Sequence, residues 1–295
     1  MEGVSGVHPG FRRAHARGVC FDAVFTASAE ARELTSAAHF QGSEVPATVR
    51  FSHSDGNPAV PDGRRAGRGI AVKFHLGGGV DTDLVAVNLP VFIVPTPEKF
   101  VQLVGALKRD PHTGAPDPAA VGAYLKANPE AGPGFAAAAQ MPIPVSYGTA
   151  RYWAIHAFRW TNSAGEERFV RYRWEPLSGV RSLSEEDAAR QPHEYLAEEL
   201  VQRLLGGPVK LALYVSIAED GDPTDDCTKS WPAERTEVLV GHLELRSKSA
   251  DQEHWARQVF DPTRVVDGIA LSDDPVLAFR NQAYAESYRR RSHGN

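Results

Sequence analysis

TARYWAIHAFRW (residues 149–160) and ERFVRYRWEP (167–176) stand on either side of NSAGE (162–166). Both runs alternate apolar and polar residues and carry many aromatics, the habit of half-buried strands. NSAGE has the Asn, Ser and Gly of a turn, so the segment reads as two strands joined end to end. Six more runs share the pattern: VCFDAVFTAS (19–28), VPATVRFSHS (45–54), RGIAVKFHL (68–76), DLVAVNLPVF (83–92), VKLALYVSIAED (209–220) and TEVLVGHLELRS (236–247). HLGGG (75–79) reads as the hairpin turn between two of them. Eight mostly sequential strands without a βαβ rhythm predict an α+β chain built on an eight-stranded antiparallel β-barrel, with a filled or ligand-holding interior.

Helical spacing fills the gaps. SAEARELTSAAHF (28–40) carries Ser28 as a cap. TPEKFVQLVGALKRD (96–110), DPAAVGAYLKAN (117–128) and PGFAAAAQ (133–140) follow the fourth strand. LSEEDAARQ (183–191) and HEYLAEELVQRLLGG (193–207) come between strands six and seven, the latter ending in glycines as helices often do. DQEHWARQVF (251–260) and a terminal helix close the chain. Residues 110–148 read as a helical insertion rather than a linker, so the expectation is a single domain over 1–295 with inserted and C-terminal helices.

With 42% apolar and 23% charged residues, 295 residues can bury a large core. A net charge of −5 gives no pull toward nucleic acid or an anionic membrane. The first 18 residues hold no apolar signal core, and no apolar run reaches membrane-spanning length. Cys20 and Cys227 form no CxxC, which fits a reducing compartment. The expectation is therefore a cytoplasmic protein with no nucleic-acid or membrane partner. GxxxxGK[ST], GxSxG and GxGxxG are absent, and HEYLA (193–197) lacks the second His of a zinc helix.

LSDDPVLAFRNQAYAESYRRRS (271–292) reads as one helix, capped by Asp273 or Asp274 with Pro275 in its first turn. Arg280 and Tyr284 are four apart and share a face. A guanidinium beside a phenol favours the phenolate, a hard anionic ligand for ferric iron, and tyrosine is among the few side chains that hold haem iron. Arg291 lies seven beyond Tyr284 on the same face, placed to meet a propionate. An Arg/Tyr pair on a terminal helix is more often an ordinary packing pair, so the rest of the chain decides.

FRRAHARG (11–18), ATVRFS (47–52), GRGIAVKF (67–74), DLVAVNLPVF (83–92), DCTKSWP (226–232), VGHLEL (240–245) and DDPVLAFRNQAY (273–284) together resemble haem catalases and occur in the catalase order. The resemblance runs from about residue 9 to 291. The chain is shorter than a full catalase, which makes it most similar to the catalase-related peroxidases, or mini-catalases, built on the barrel core without the long arm, the full wrapping segment or a C-terminal domain.

That resemblance implies ferric haem b in the barrel, with Tyr284 as proximal iron ligand, Arg280 its charge partner, and His15 and Asn88 above. His15 would act as general base and then acid, Ser52 would fix its ring, and Asn88 would orient the peroxide. Arg12, Arg50 and Arg291 would grip haem propionates, Arg68 would belong to the structural network, and Phe100 would pack on the macrocycle. The implied activity is a haem peroxidase using hydrogen peroxide and organic hydroperoxides through a ferryl state, with residual catalase activity. Its partners would be a peroxide, a small organic electron donor and, by family habit, further copies of itself in a dimer or larger assembly. Ala14 precedes His15 where catalases carry valine, and Leu89 follows Asn88 where they carry threonine. Ile93 and Val265 replace aromatic residues of the lining, implying a roomier pocket. Allene-oxide-synthase-like rearrangement of a lipid or natural-product hydroperoxide, or haem binding without turnover, are the rival readings.

Overall fold

The computed structural model describes residues 1–110 and 112–292. Eight strands carry the architecture: β1 (Gly18–Ala27), β2 (Glu44–His53), β3 (Arg68–His75), β4 (Asp81–Val87), β5 (Tyr152–Thr161), β6 (Glu167–Pro176), β7 (Val209–Ile217) and β8 (Glu237–Lys248). They pair antiparallel in the order β5–β4–β3–β2–β1–β8–β7–β6, and β6 pairs back to β5, closing the barrel. The seam between β4 and β5 is the thinnest, with the single partner pair Val87 and Trp153. A ninth short strand, β9 (Ile269–Leu271), extends the sheet beyond β5.

Alternation decides what fills the barrel. Phe21, Ala23, Phe25 and Ala27 of β1 and Val45, Ala47, Val49 and Phe51 of β2 belong to one buried cluster with Phe40, Phe74, Trp160 and Trp174. Phe25 meets Phe40 and Phe74 edge-on, with ring centroids 5.6 Å and 5.1 Å apart, a preferred aromatic geometry. The interior is thus packed with side chains. Arg50 and Ser52 alternate with Val49 and Phe51, so they point away from that interior.

Between β4 and β5 lie α1 (Pro97–Ala106), α2 (Pro118–Ala127) and α3 (Gly132–Ala139). Thr96 caps α1 and Asp117 caps α2 through their side-chain oxygens. These helices gather a satellite cluster around Val94, Leu103, Tyr124 and Ala131. Helix α4 (Tyr195–Leu205) buries Leu196 and Leu200 in the main core, and α5 (Pro275–Ser292) ends the described chain. Among the described residues no helix is long and apolar enough to cross a membrane.

Two local expectations change, and one short strand adds to those expected. Residues 28–40 form one helical turn (Ala31–Leu34) and a 3-10 turn (Ala38–Phe40), and Ser28 Oγ donates to Leu239 O at 2.7 Å instead of capping. Thr35 between them is extended and fully buried, its Oγ1 donating to Gly268 O at 2.8 Å. That tertiary bond breaks the helix that the spacing favours. Strand β4 stops at Val87, leaving Asn88 outside regular structure. Strand β9 is too short for its alternation to be read in advance.

Candidate active site

His15 lies in the arm before β1 with φ 53°, the one non-glycine residue of positive φ among the described residues. Such a conformation costs roughly 1–3 kcal/mol and persists only where neighbours enforce it. Here His15 N donates to Ser54 O at 3.1 Å, Ala16 N donates to Asp55 O at 3.0 Å, and Arg50 Nη2 donates to His15 O at 2.9 Å. The ring is fixed separately: Nδ1 shares a hydrogen bond with Ser52 Oγ at 2.9 Å. Ser52 pairs with Gly69 across β2 and β3. A Cβ at residue 69 would lie 2.8 Å from Ser52 Oγ and 2.9 Å from His15 Cε1 and Nδ1. Glycine is what lets the imidazole rest on the outer face of the barrel. Burial, joined by the charges of Arg50, Arg280, Arg12 and Arg68, pushes the His15 pKa down to about 3, so the ring is a neutral base across ordinary pH.

Asn88 hangs from the same stretch. Its Oδ1 accepts from Arg68 N at 2.6 Å, and its own N donates to Arg68 O at 2.9 Å. The residue is 4% exposed, and Nδ2 has no partner among the described residues. A buried amide donor left unmade is costly unless a ligand completes it. Arg68, fully buried, spends its guanidinium on the carbonyls of Asp62, Arg64, Ala66 and Gly67. It holds the loop before β3 in shape, as expected of a structural arginine.

On α5, Arg280 Nε donates to Tyr284 Oη at 3.0 Å, and Nη2 donates to the same oxygen. Two donors converging on one phenol oxygen suit an anionic ligand atom. Asp274 caps this helix, its Oδ1 accepting from Val276 N at 2.8 Å and Leu277 N at 3.3 Å. Its other oxygen, Oδ2, stands 2.7 Å from His156 Nδ1, with both side chains buried. Burial alone would raise the Asp274 carboxyl, but the His156 hydrogen bond and the cap N–H groups more than offset it. Burial lowers His156 despite that carboxylate. The pair is therefore an ionised Asp274 accepting from a neutral imidazole. Cys227 completes a group whose ligand-type atoms lie within 4.8 Å of one another. The carboxylate is already committed to His156 and the helix cap, so we read the group as a hydrogen-bonded support for α5.

Three arginines form the remaining part. Arg12 Nη2 donates to Gln258 O at 2.7 Å, and Arg291 Nη2 donates to Arg257 O at 3.2 Å and to Gln258 O at 3.3 Å. Arg50 donates to the carbonyls of His15 and Ala16. All three bond backbone carbonyls. Burial, then the charges of Arg50 and Arg291, brings Arg12 down to about 8. Burial and Arg50 bring Arg291 down to about 10. Mutually repelling, desolvated guanidinium groups call for an anion with more than one negative charge.

Most of the expected residues thus fall into linked groups: Ser52 with His15 and Arg50, Asn88 on Arg68, Tyr284 with Arg280, and Arg12 beside Arg291. Phe100 belongs to another packing set, stacked on Phe92 at 5.9 Å beside the satellite cluster. Val265 packs on the main core and Ile93 on the satellite cluster. The group is built on the outer wall of the barrel, because the interior is filled, rather than inside it. Gly69 and His156 carried no sequence signal of their own, since each matters through a partner distant in the chain.

A catalase family profile matches residues 10–295. The chain is 35% identical over 295 residues to the "Catalase-related peroxidase" of Synechococcus elongatus, covering 100% of this chain and 87% of that one. It is 38% identical to the "Catalase-related peroxidase" of Mycolicibacterium paratuberculosis, covering 99% and 92%. Among solved structures, a bacterial catalase superposes with a TM-score of 0.85 at 26% identity, covering 95% of this chain and 57% of the larger one.

Proposed function

Because the chain belongs to the catalase family and is a peroxide-acting oxidoreductase, we propose that it is a haem peroxidase that reduces hydrogen peroxide and organic hydroperoxides, with weak catalase activity. The observation that carries this reading is the neutral His15, locked on Ser52, beside an Asn88 amide whose buried Nδ2 lacks a partner among the described residues. That set fits a small ligand needing one base and one donor.

The residues also fit haem b. Tyr284 Oη, supported by Arg280, would hold the ferric iron, and Arg12, Arg50 and Arg291 would hold the propionates. Bound there, haem supplies the redox-active iron at which a peroxide O–O bond is cleaved. With Nδ1–H donated to Ser52 Oγ, His15 Nε2 keeps its lone pair. It takes the peroxide proton and returns it to the departing oxygen, which leaves as water or an alcohol rather than as an anion. Asn88 Nδ2 donates to the peroxide and holds it in line. A small organic donor supplies two electrons and two protons, so that ROOH becomes ROH and water. The whole chain acts as one domain in this reading.

The test follows oxygen release from hydrogen peroxide beside dye oxidation driven by a bulky hydroperoxide. Brisk dye oxidation with slow oxygen release is expected. His15→Ala should lower the peroxide rate about 10²- to 10⁴-fold while haem still binds. An unchanged rate would refute the mechanism and leave a haem-binding protein without turnover.

A further inference from the structure

Helix α5 presents Tyr284 and Arg291, yet of its 18 residues only Leu277, in the first turn, is buried. Its later turns are therefore held by polar ties rather than by packing. Asn281 Nδ2 donates to Asp261 Oδ2 at 2.7 Å, and Arg291 donates to the carbonyls of Arg257 and Gln258. A further tie comes from the N-terminal arm. Glu2 Oε1 accepts from Arg290 Nη1 at 2.9 Å and from Arg13 Nε at 2.6 Å. Arg13 adjoins Arg12, and Arg290 adjoins Arg291. The arm and the helix are thus stitched twice: Arg12 and Arg291 share the Gln258 carbonyl, and Arg13 and Arg290 share one Glu2 oxygen.

Beside these partners lies an open cleft of about 370 Å³ lined by Gly3, Ala283, Ser287 and the charged groups of the stitch. Glu2 itself is on a firm base. Its helical turn, Glu2–Ser5, accepts from Arg109 N through Gly3 O and from Gly56 N through Ser5 Oγ. The two arginines hold the Glu2 carboxyl below its ordinary range, Arg290 most strongly.

We propose that Glu2 is a positioning residue: through Arg13 and Arg290 it sets the separation of the arm bearing Arg12 and His15 from the helix end bearing Tyr284 and Arg291, and so the grip on the dianionic edge of the bound cofactor. The inference rests on the haem reading above. Replacing Glu2 removes the acceptor that Arg13 and Arg290 share, while Arg13 keeps the His8 and Phe11 carbonyls of its own arm and Arg290 keeps Glu286 of its own helix. The helix end and the arm then drift independently, and the two inward arginines lose their fixed spacing.

The experiment pairs two readouts on Glu2→Gln, Arg290→Gln and the double variant. Haem transfer from the holoprotein to an excess of apo-globin should quicken about three- to tenfold in each single variant, on the scale of an exposed charge network. The double should be no faster than the singles, because both break one tie. Raising salt should speed wild-type release toward the variant rate and change Glu2→Gln little. Amide exchange on the apoprotein should show lost protection at 11–16 and 284–291 in Glu2→Gln, with the barrel strands unchanged. Wild-type haem release with unchanged exchange overturns the proposal, as does loss of protection spread over the whole barrel. If the protein takes up no haem, the haem reading fails, and exchange in the apoprotein alone decides for or against the tie.

Discussion

Gly69 shows how a residue without a side chain can set the chemistry. The His15 ring and Ser52 Oγ occupy the space where a Cβ at 69 would stand, 2.8–2.9 Å away. Strand pairing fixes the backbone at Ser52, so what must give is the Ser52 hydroxyl and the imidazole bonded to it. Gly69→Ala should therefore move the ring from its seat while the barrel persists. A misplacement near 1 Å costs about 100-fold in rate, so peroxide turnover should fall roughly 10- to 100-fold. The melting temperature should shift by no more than a few degrees. Wild-type turnover in the alanine variant would show that the ring does not depend on that contact. Sequence motifs named His15 and Ser52 because RRAHARG and ATVRFS match a family pattern. Gly69 was quoted within GRGIAVKF, yet nothing in one dimension says that its missing Cβ faces residue 15. His156 was similarly hidden, a lone histidine in a strand whose carboxylate partner lies 118 residues away.

At the scale of elements, α5 depends on its first turn. Asp274 caps it and also accepts from buried His156, so one carboxylate joins the helix to β5. Asp274→Ala removes a cap worth about 1 kcal/mol. It also leaves a buried imidazole donor unmade, at about 1–3 kcal/mol. Urea unfolding of the apoprotein should register a loss of about 2–4 kcal/mol. Asp274→Asn should lose less, because its amide oxygen can still cap. Equal losses for Ala and Asn would mean that charge, not capping, is what Asp274 contributes. The cap was legible to within one residue, Asp273 or Asp274, since Asp before Pro is a common helix start. The strands were legible for a like reason: alternation is local and survives tertiary contacts. Residues 28–40 were not. Ala31, Leu34, Ala37 and Phe40 do turn inward as helical spacing suggests, but Thr35 is drawn out of the helix by Gly268 O, a partner that no local pattern announces.

Across the whole molecule, counting eight strands suggested closure but not its seam, because β5 closes on β4 through one residue pair and on β6 through many. Nor could alternation say whether the interior would hold a ligand. Its aromatics fill it, and two histidines, His39 among those aromatics and His53 at the end of β2, are buried with little support. His39 lies between Phe40 and Phe74, ring centroids 4.2 Å and 4.9 Å away, with Nδ1 unpartnered among the described residues. His53 accepts from Asp55 N through Nδ1, while Nε2 lacks a partner among those residues. Burial pushes both pKa values down to about 3, with Arg68 and Arg17 adding to the effect at His53. Between pH 6.5 and 3 the unfolded chain therefore takes up protons that the folded chain refuses. The stability due to these groups is complete above the unfolded pKa near 6.5 and falls as pH drops below it, by about 1.4 kcal/mol per pH unit for each histidine. His39→Phe suits the aromatic surroundings and removes one such proton. Urea midpoints of the apoprotein at pH 7.5 and 5.0 should show the wild type losing about 2 kcal/mol more than the variant across that interval. A loss of equal size in both would mean that His39 takes its proton inside the fold, and that the barrel core admits charge more readily than its packing implies.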